Sequence, residues 1–360
     1  MGRFKLFALT AIVFATAVHG ANDTSIDALI EAGHWKRARA AVQTRLQANP
    51  GDALAHAWMS KISIGFGDLE AAVREGEKAV ELDGRSAAAH GFLAEACALS
   101  ADRTTILKGL QFVRRMKKEV DAALSLDPKH VDTLLLETVF TYKAPAIAGG
   151  DKQKARRLAD QVLAISPVWG YLAHARLYQL QGESGPPLEA VLKKAVQSDP
   201  SFYRARVSLA LYYCGETTCS SPAAAERAAL DAVAVDSAAA GAYAVLARAY
   251  VAQKRWADLE ALLARAENAV PDDLGPYFSA ANRLIDEGQD FDRAEKYLRR
   301  YLSQAPEGRE PTQAEARRLL AEMYERSGRK SDALRELQLA LKIQPDFELA
   351  KKDLSRLRHF

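Results

Sequence analysis

AEARRLLAEMYERSGRKSDALRELQLALKIQP, residues 314–345, reads as two short helices separated by one turn and closed by one stop. Gly328 sits between the two apolar-periodic halves, Ala333 follows five residues later, and Pro345 twelve after that. The same intervals separate Gly33, Ala38 and Pro50, and again Gly150, Ala155 and Pro167. Gly67, Ala72 and Gly84 repeat them with glycine in the proline's place. Ala294 and Pro306 repeat the second half, with Gly288 one residue early. A fixed period of this kind marks stacked structural repeats. The glycine ends one helix because it adopts the left-handed conformation at little cost. The alanine lies early in the second helix and lets the two helices approach, and the proline stops the second helix.

Each unit is therefore expected to be an antiparallel helical hairpin of about 34 residues. Residues 314–345 carry Leu320, Ala321, Tyr324, Gly328, Ala333, Leu337, Ala340 and Pro345, and in this the segment resembles the tetratricopeptide repeat family. Residues 242–271 keep Tyr243, Leu246, Ala247, Tyr250, Ala266 and Pro271, but Lys254 stands where the turn glycine belongs. Unit ends are read near Pro50, Gly84, Pro128, Pro167, Pro200, Ser237, Pro271, Pro306 and Pro345. The resemblance implies an all-α, right-handed superhelical solenoid of about nine units over residues 22–345. Residues 346–360, amphipathic and charged, are expected to form a C-terminal capping helix.

Residues 1–21 have a different pattern. MGRFK is cationic, LFALTAIVFATAV is apolar, and small Gly20 and Ala21 follow, the signature of a secretory signal peptide. The apolar run is too short to span a bilayer comfortably. The expectation is an exported protein, in the bacterial periplasm or secreted, with no membrane span after cleavage. The chain carries 49 basic and 46 acidic residues; without Arg3 and Lys5 the balance is 47 against 46. So even a balance argues against nucleic-acid binding, which needs a basic surface. Of three cysteines, Cys214 and Cys219 share the turn-rich stretch YYCGETTCSSP. Export to an oxidising compartment makes them a disulfide candidate, with two free thiols as the other reading. Cys97, inside FLAEACALS, reads as a small buried hydrophobe.

Three units depart from the pattern. The third has a lengthened second helix, whose Arg114, Arg115, Lys117 and Lys118 read as a solvated face. The fifth carries GESGPP between its helices, and the sixth carries the CGETTCSSP loop. In the fourth, PAIAGGDKQKA puts Gly150 at the turn position, Asp151 at the helix cap and Ala155 at the packing alanine. A phosphate loop would follow a strand and end in Gly-Lys-Ser/Thr, and this stretch does neither. The GGD turn also resembles exported repeat proteins such as the T components of TRAP-type solute transporters.

No metalloprotease, nucleophile-elbow, dinucleotide or zinc motif is present in the sequence, so no catalytic residue, metal or cofactor is expected. His56 and His90 could face each other on neighbouring first helices, but the plainer reading is packed or surface histidines. What remains is surface. The resemblance implies a concave groove lined by first helices that holds a peptide or protein segment. Aligned positions put Arg176, Arg248 and Arg283 on that face, with Arg204 near the start of its helix and Trp169 and Gln179 sharing the face of Arg176. Arginine forks bind carboxylates and tryptophan supplies an apolar anchor, so an acidic or C-terminal segment fits. The competing reading pairs these arginines with groove acids such as Asp286, Glu287 and Glu322. Glu322 takes the corresponding place in the last unit, so the basic character should fade there. Trp35, Trp58, Trp256 and Phe291 read as packing residues. The function expected is a protein-binding scaffold. A small-molecule accessory of a solute transporter and, less readily, an enzyme stay open as alternatives.

Overall fold

A computed structural model describes residues 23–309 and 311–359. Residues 1–21, read above as a signal peptide, lie outside the described residues. The described chain is helical, and its one β-type contact is an isolated bridge between Cys214 and Cys219. It divides at Pro200, one of the repeat-ending prolines, into two compact units.

The first unit holds five hairpins: α1 (Asp23–Ala32) with α2 (Trp35–Ala48), α3 (Ala53–Phe66) with α4 (Leu69–Leu82), α5 (Ala87–Asp102) with α6 (Ile106–Leu126), α7 (Val131–Lys143) with α8 (Lys152–Ile165), and α9 (Pro167–Leu180) with α10 (Pro186–Ser198). The second holds four and a final helix: α11 (Tyr203–Tyr213) with α12 (Pro222–Val235), α13 (Ala240–Ala252) with α14 (Trp256–Ala269), α15 (Gly275–Asp286) with α16 (Phe291–Tyr301), α17 (Gln313–Arg326) with α18 (Lys330–Ile343), then α19 (Glu348–His359). Within each unit the first helices pack on one another, α3 on α5 on α7 on α9, and α11 on α13 on α15 on α17. In each unit they form a wall of their own, and the second helices pack beside it.

The spacing has a direct structural meaning. Ala38, Ala72, Ala155, Ala294 and Ala333 are all fully buried, where a larger side chain would push the paired helices apart. Gly67 and Gly328 take positive φ of 76° and 75°. At each, two N–H groups turn back onto the last carbonyls: Gly328 to Glu325 and Arg329 to Tyr324, Gly67 to Ile64 and Asp68 to Ser63. Lys254 makes the same turn without glycine. Its φ is +57°, its N–H bonds Val251 O, and Arg255 N–H bonds Tyr250 O. The hairpin therefore forms at the expense of a strained lysine.

The PAIAGGD turn differs from its sequence reading in one respect. The left-handed residue is Gly149, at φ +94°, not Gly150. Gly150 is there for a close approach: a Cβ on it would lie 1.8 Å from the Ala144 carbonyl oxygen. The turn is longer than in other units, a short 3-10 segment Ala146–Ala148, and this moves the glycine requirement by one residue. Asp151 caps α8, accepting from Gln153 and Lys154 N–H. Two proline readings also shift. Pro167 opens α9 rather than closing its predecessor, and Pro186 and Pro187 form the first turn of α10, where a missing N–H costs nothing.

Tryptophans lock the first hairpins. The Trp35 ring lies against Gly65, whose Cβ would come within 2.6 Å of it. Trp58 is 2 % exposed and donates its indole N–H to Asp27 at 2.7 Å. Cys97 is fully buried, and burial pushes its thiol up to about 12, so it behaves as an inert hydrophobe. His56 and His90 do not pair with each other. His56 bridges Glu75 and the Pro50 carbonyl, and His90 bridges Glu119 and the Gly84 carbonyl. Each ring ties the turn that precedes its own helix to a glutamate of the following helix. Spacing along the first helices could not show this, because the partners of each ring lie on a turn and on a second helix.

Candidate functional site

Arg248 lies mid-way along α13, on the wall made by the first helices of the second unit. It is flanked by Ala247 and Ala249, both fully buried, which lets neighbouring helices close around it. The residue is only 5 % exposed, yet its Nε is buried without a hydrogen-bond partner, and it makes no ion pair among the described residues. Burial pushes its pKa below the ordinary arginine value; the Glu216 charge counters this and the Arg283 charge adds to it. Arginine remains charged at any accessible pH. A buried cation without a paired anion costs stability.

Arg283, on α15, is differently placed. Its Nε donates to Glu287 at 2.6 Å, and Nη1 reaches the Thr217 carbonyl at 3.5 Å. The pairing with groove acids expected as the competing reading thus holds for Arg283 and fails for Arg248. Glu216 and Thr217 belong to the Cys214–Cys219 loop, whose two sulfurs are bonded. The loop is closed further by Gly215 N–H to Thr218 O at 2.8 Å. It joins α11 to α12 and brings a carboxylate and a carbonyl to the two arginines. Glu216 and Thr217 are site residues that sequence reasoning missed; the position of the loop between two helices of one hairpin was the available signal. Arg204 sits in the first turn of α11, half-buried.

Toward the C-terminal end the wall turns acidic. Asp286 is raised above the usual carboxylate range by burial and by the neighbouring Glu322 charge. Glu322 itself pairs with Arg326 at 2.8 Å. A cleft of about 370 Å³ opens beyond, lined by α17, α18 and α19. Its charges are matched, Arg318 to Asp353 at 2.8 Å and Arg356 to Glu325, so it fastens α19 to the last hairpin.

In the first unit, Arg176 donates to Gln179 at 3.3 Å and makes no ion pair among the described residues. Burial lowers its pKa. Nearby, burial lowers Lys143, with the Asp102 charge opposing that shift and the Arg176 charge adding to it, and burial raises Asp102. Lys143 and Asp102, at the ends of α7 and α5, were not singled out from sequence. Trp169 is half-buried against the cluster built on Leu134, Leu158 and Val162.

Residues 284–354 match the family model for the tetratricopeptide repeat. The match spans the end of α15, α16, the α17–α18 hairpin and the start of α19. Yeast Tom70 is similar in fold along most of both chains: 14 % identity, 94 % of this chain and 87 % of that one covered, TM-score 0.51. A tetratricopeptide-repeat protein of Thermus thermophilus aligns at 21 % identity over 53 % of this chain and 96 % of its own, with a TM-score of 0.46. One from Parabacteroides merdae aligns at 16 % identity over 74 % and 98 %, at 0.47. No curated protein matches the sequence. Tetratricopeptide repeats are in general non-catalytic scaffolds for protein interaction, and no described helix is long and apolar enough to cross a membrane.

Proposed function

We propose that the chain is an exported scaffold that binds an acidic protein segment, or a free C-terminus, on the first-helix wall of its second unit. The observation that carries this is Arg248, a buried arginine whose Nε has no hydrogen-bond partner and which makes no ion pair among the described residues. A carboxylate arriving from a partner would supply the missing charge and the bidentate geometry that arginine favours. Glu216 stands close enough to influence Arg248 electrostatically without forming an ion pair, so an incoming carboxylate would take the position it leaves open. Arg283, already held by Glu287, orients the neighbouring rung. Export rests on the cationic, apolar and small-residue sequence of residues 1–21, with the periplasm the compartment proposed.

The test is selection of peptides from a random library on the immobilised full chain, wild type beside Arg248→Met. Enrichment of acidic or free-carboxylate peptides on wild type, lost on the variant, supports the reading. Enrichment without acidic bias, or equal enrichment on both, refutes it.

A further inference from the structure

The α5–α6 hairpin departs from every other hairpin of the first unit. α6 is 21 residues long, whereas α2, α4 and α8 have 14. Ala123 in α6 and Ala79 in α4 are both fully buried four residues before the helix-ending aspartate, which fixes the register. The extra seven residues are therefore 106–112, an overhang of about 10 Å at the N-terminal end. Only Gly109 and Phe112 of the overhang turn inward, Phe112 onto the cluster of Leu93 and Met116. Ile106 is 86 % exposed, Leu107 76 % and Leu110 47 %. The next intra-hairpin turn, on the same edge, offers Ile147 at 98 % exposure. That turn is tied to α6 by Lys117 Nζ donating to the Ala148 carbonyl at 2.7 Å.

Isolated exposed leucines are ordinary, but four large aliphatic side chains gathered on adjoining turns are not. The surroundings are cationic. Residues 103–118 hold six arginines and lysines and no acid. Ile106, Leu110, Arg114 and Lys118 follow one another at four-residue intervals, so one ridge of α6 runs from an apolar tip to a basic shaft. Lys108, Arg114 and Lys118 are exposed and have no acidic partner among the described residues. Eight residues along a helix span about 12 Å, so Arg114 would stand at the phosphate level when Ile106 reaches the acyl boundary.

We infer that this edge docks on an anionic phospholipid surface, with Ile106, Leu107, Leu110 and Ile147 entering the interface and Lys108, Arg114 and Lys118 on the headgroups. A protein partner would need acids to match the shaft and a pocket for the tip. A bilayer with anionic headgroups offers both without a specific fold. The basic run by itself reads as a solvated face and acquires a role only through the apolar tip in front of it.

The experiment is co-sedimentation of the full chain with vesicles of phosphatidylethanolamine containing 30 % phosphatidylglycerol, and with pure phosphatidylcholine vesicles. Two exposed-site variants run beside wild type, Ile106→Ser/Leu107→Ser/Leu110→Ser and Arg114→Glu/Lys118→Glu, after circular dichroism confirms their helicity. All three share residues 1–22, so any contribution of that segment cancels. Expected is binding to the anionic vesicles that falls at least tenfold in the serine variant and about fivefold per cation in the glutamate variant, and that weakens with salt. Wild type and both variants partitioning alike would overturn the proposal. So would wild type binding phosphatidylcholine as well as the anionic vesicles, or staying in the supernatant with both.

Discussion

Replacing Arg248 by methionine should make the protein more stable. The side chain is 5 % exposed, its Nε is buried without a partner, and the residue makes no ion pair among the described residues. A buried polar group left unsatisfied costs about 1–3 kcal/mol, and a charged one more. Methionine keeps the unbranched stem and a similar volume, so no cavity opens. The lower end of that range applies, because Glu216 returns part of the cost through its charge. A gain of about 1 kcal/mol in a unit of this size corresponds to a rise in melting temperature of about 2–4 °C. Arg283→Met is the control with the opposite sign. Arg283 pairs with Glu287 at 2.6 Å, with side chains 14 % and 19 % exposed, so its removal leaves a half-buried carboxylate with only the Gln289 amide as donor and should cost about 1 kcal/mol. Differential scanning calorimetry of the full chain reads both. Arg248→Met lowering the melting temperature, or both variants shifting it in the same direction, would refute the claim that Arg248 is kept for a ligand at the expense of stability.

Lys254→Gly should stabilise the second unit by about 1 kcal/mol, since the exposed lysine has no partner among the described residues and holds φ at +57°. Gly328→Lys at the equivalent turn should cost a similar amount; urea midpoints that move the other way would contradict the shared turn geometry. Glu267 is held below its ordinary value of 4.5 by hydrogen bonds from Arg300 and Tyr277. A depressed folded-state carboxylate contributes stability that is complete above the unfolded value and is lost as pH falls through the folded one. Stability should therefore drop below about pH 4.5 by less in Glu267→Gln than in wild type, and identical acid-titration curves would exclude this. Reducing Cys214–Cys219 frees a loop of few residues, for which chain entropy gives about 2 kcal/mol. Dithiothreitol should lower the melting temperature of wild type and leave that of Cys214→Ser/Cys219→Ser unchanged; an equal response in both would place the effect elsewhere.

The hairpins were legible because their signals are local. A glycine, an alanine five residues on and a proline twelve beyond report where the chain turns, packs and stops, and the fully buried Ala38, Ala72, Ala155 and Ala333 bear this out. Lys254 shows the limit of the rule: packing of α13 and α14 imposes the turn even where the residue resists it. The shift of the left-handed residue to Gly149 has a related origin, because an added 3-10 segment changes which residue must reverse the chain. The site was only half legible. Register placed Arg248 and Arg283 on the wall, but not which of them meets an acid. That depends on Glu287 lying four residues after Arg283, while the residue four beyond Arg248 is Ala252. The approach of Glu216 and Thr217 follows from a loop whose path no helical periodicity encodes.

The most direct measurement is hydrogen–deuterium exchange of the full chain, with and without a peptide enriched on wild type. Binding through Arg248 predicts slowed exchange in α13, in α15 and in the Cys214–Cys219 loop. Slowed exchange confined to the second helices, or to α18 and α19, would contradict it.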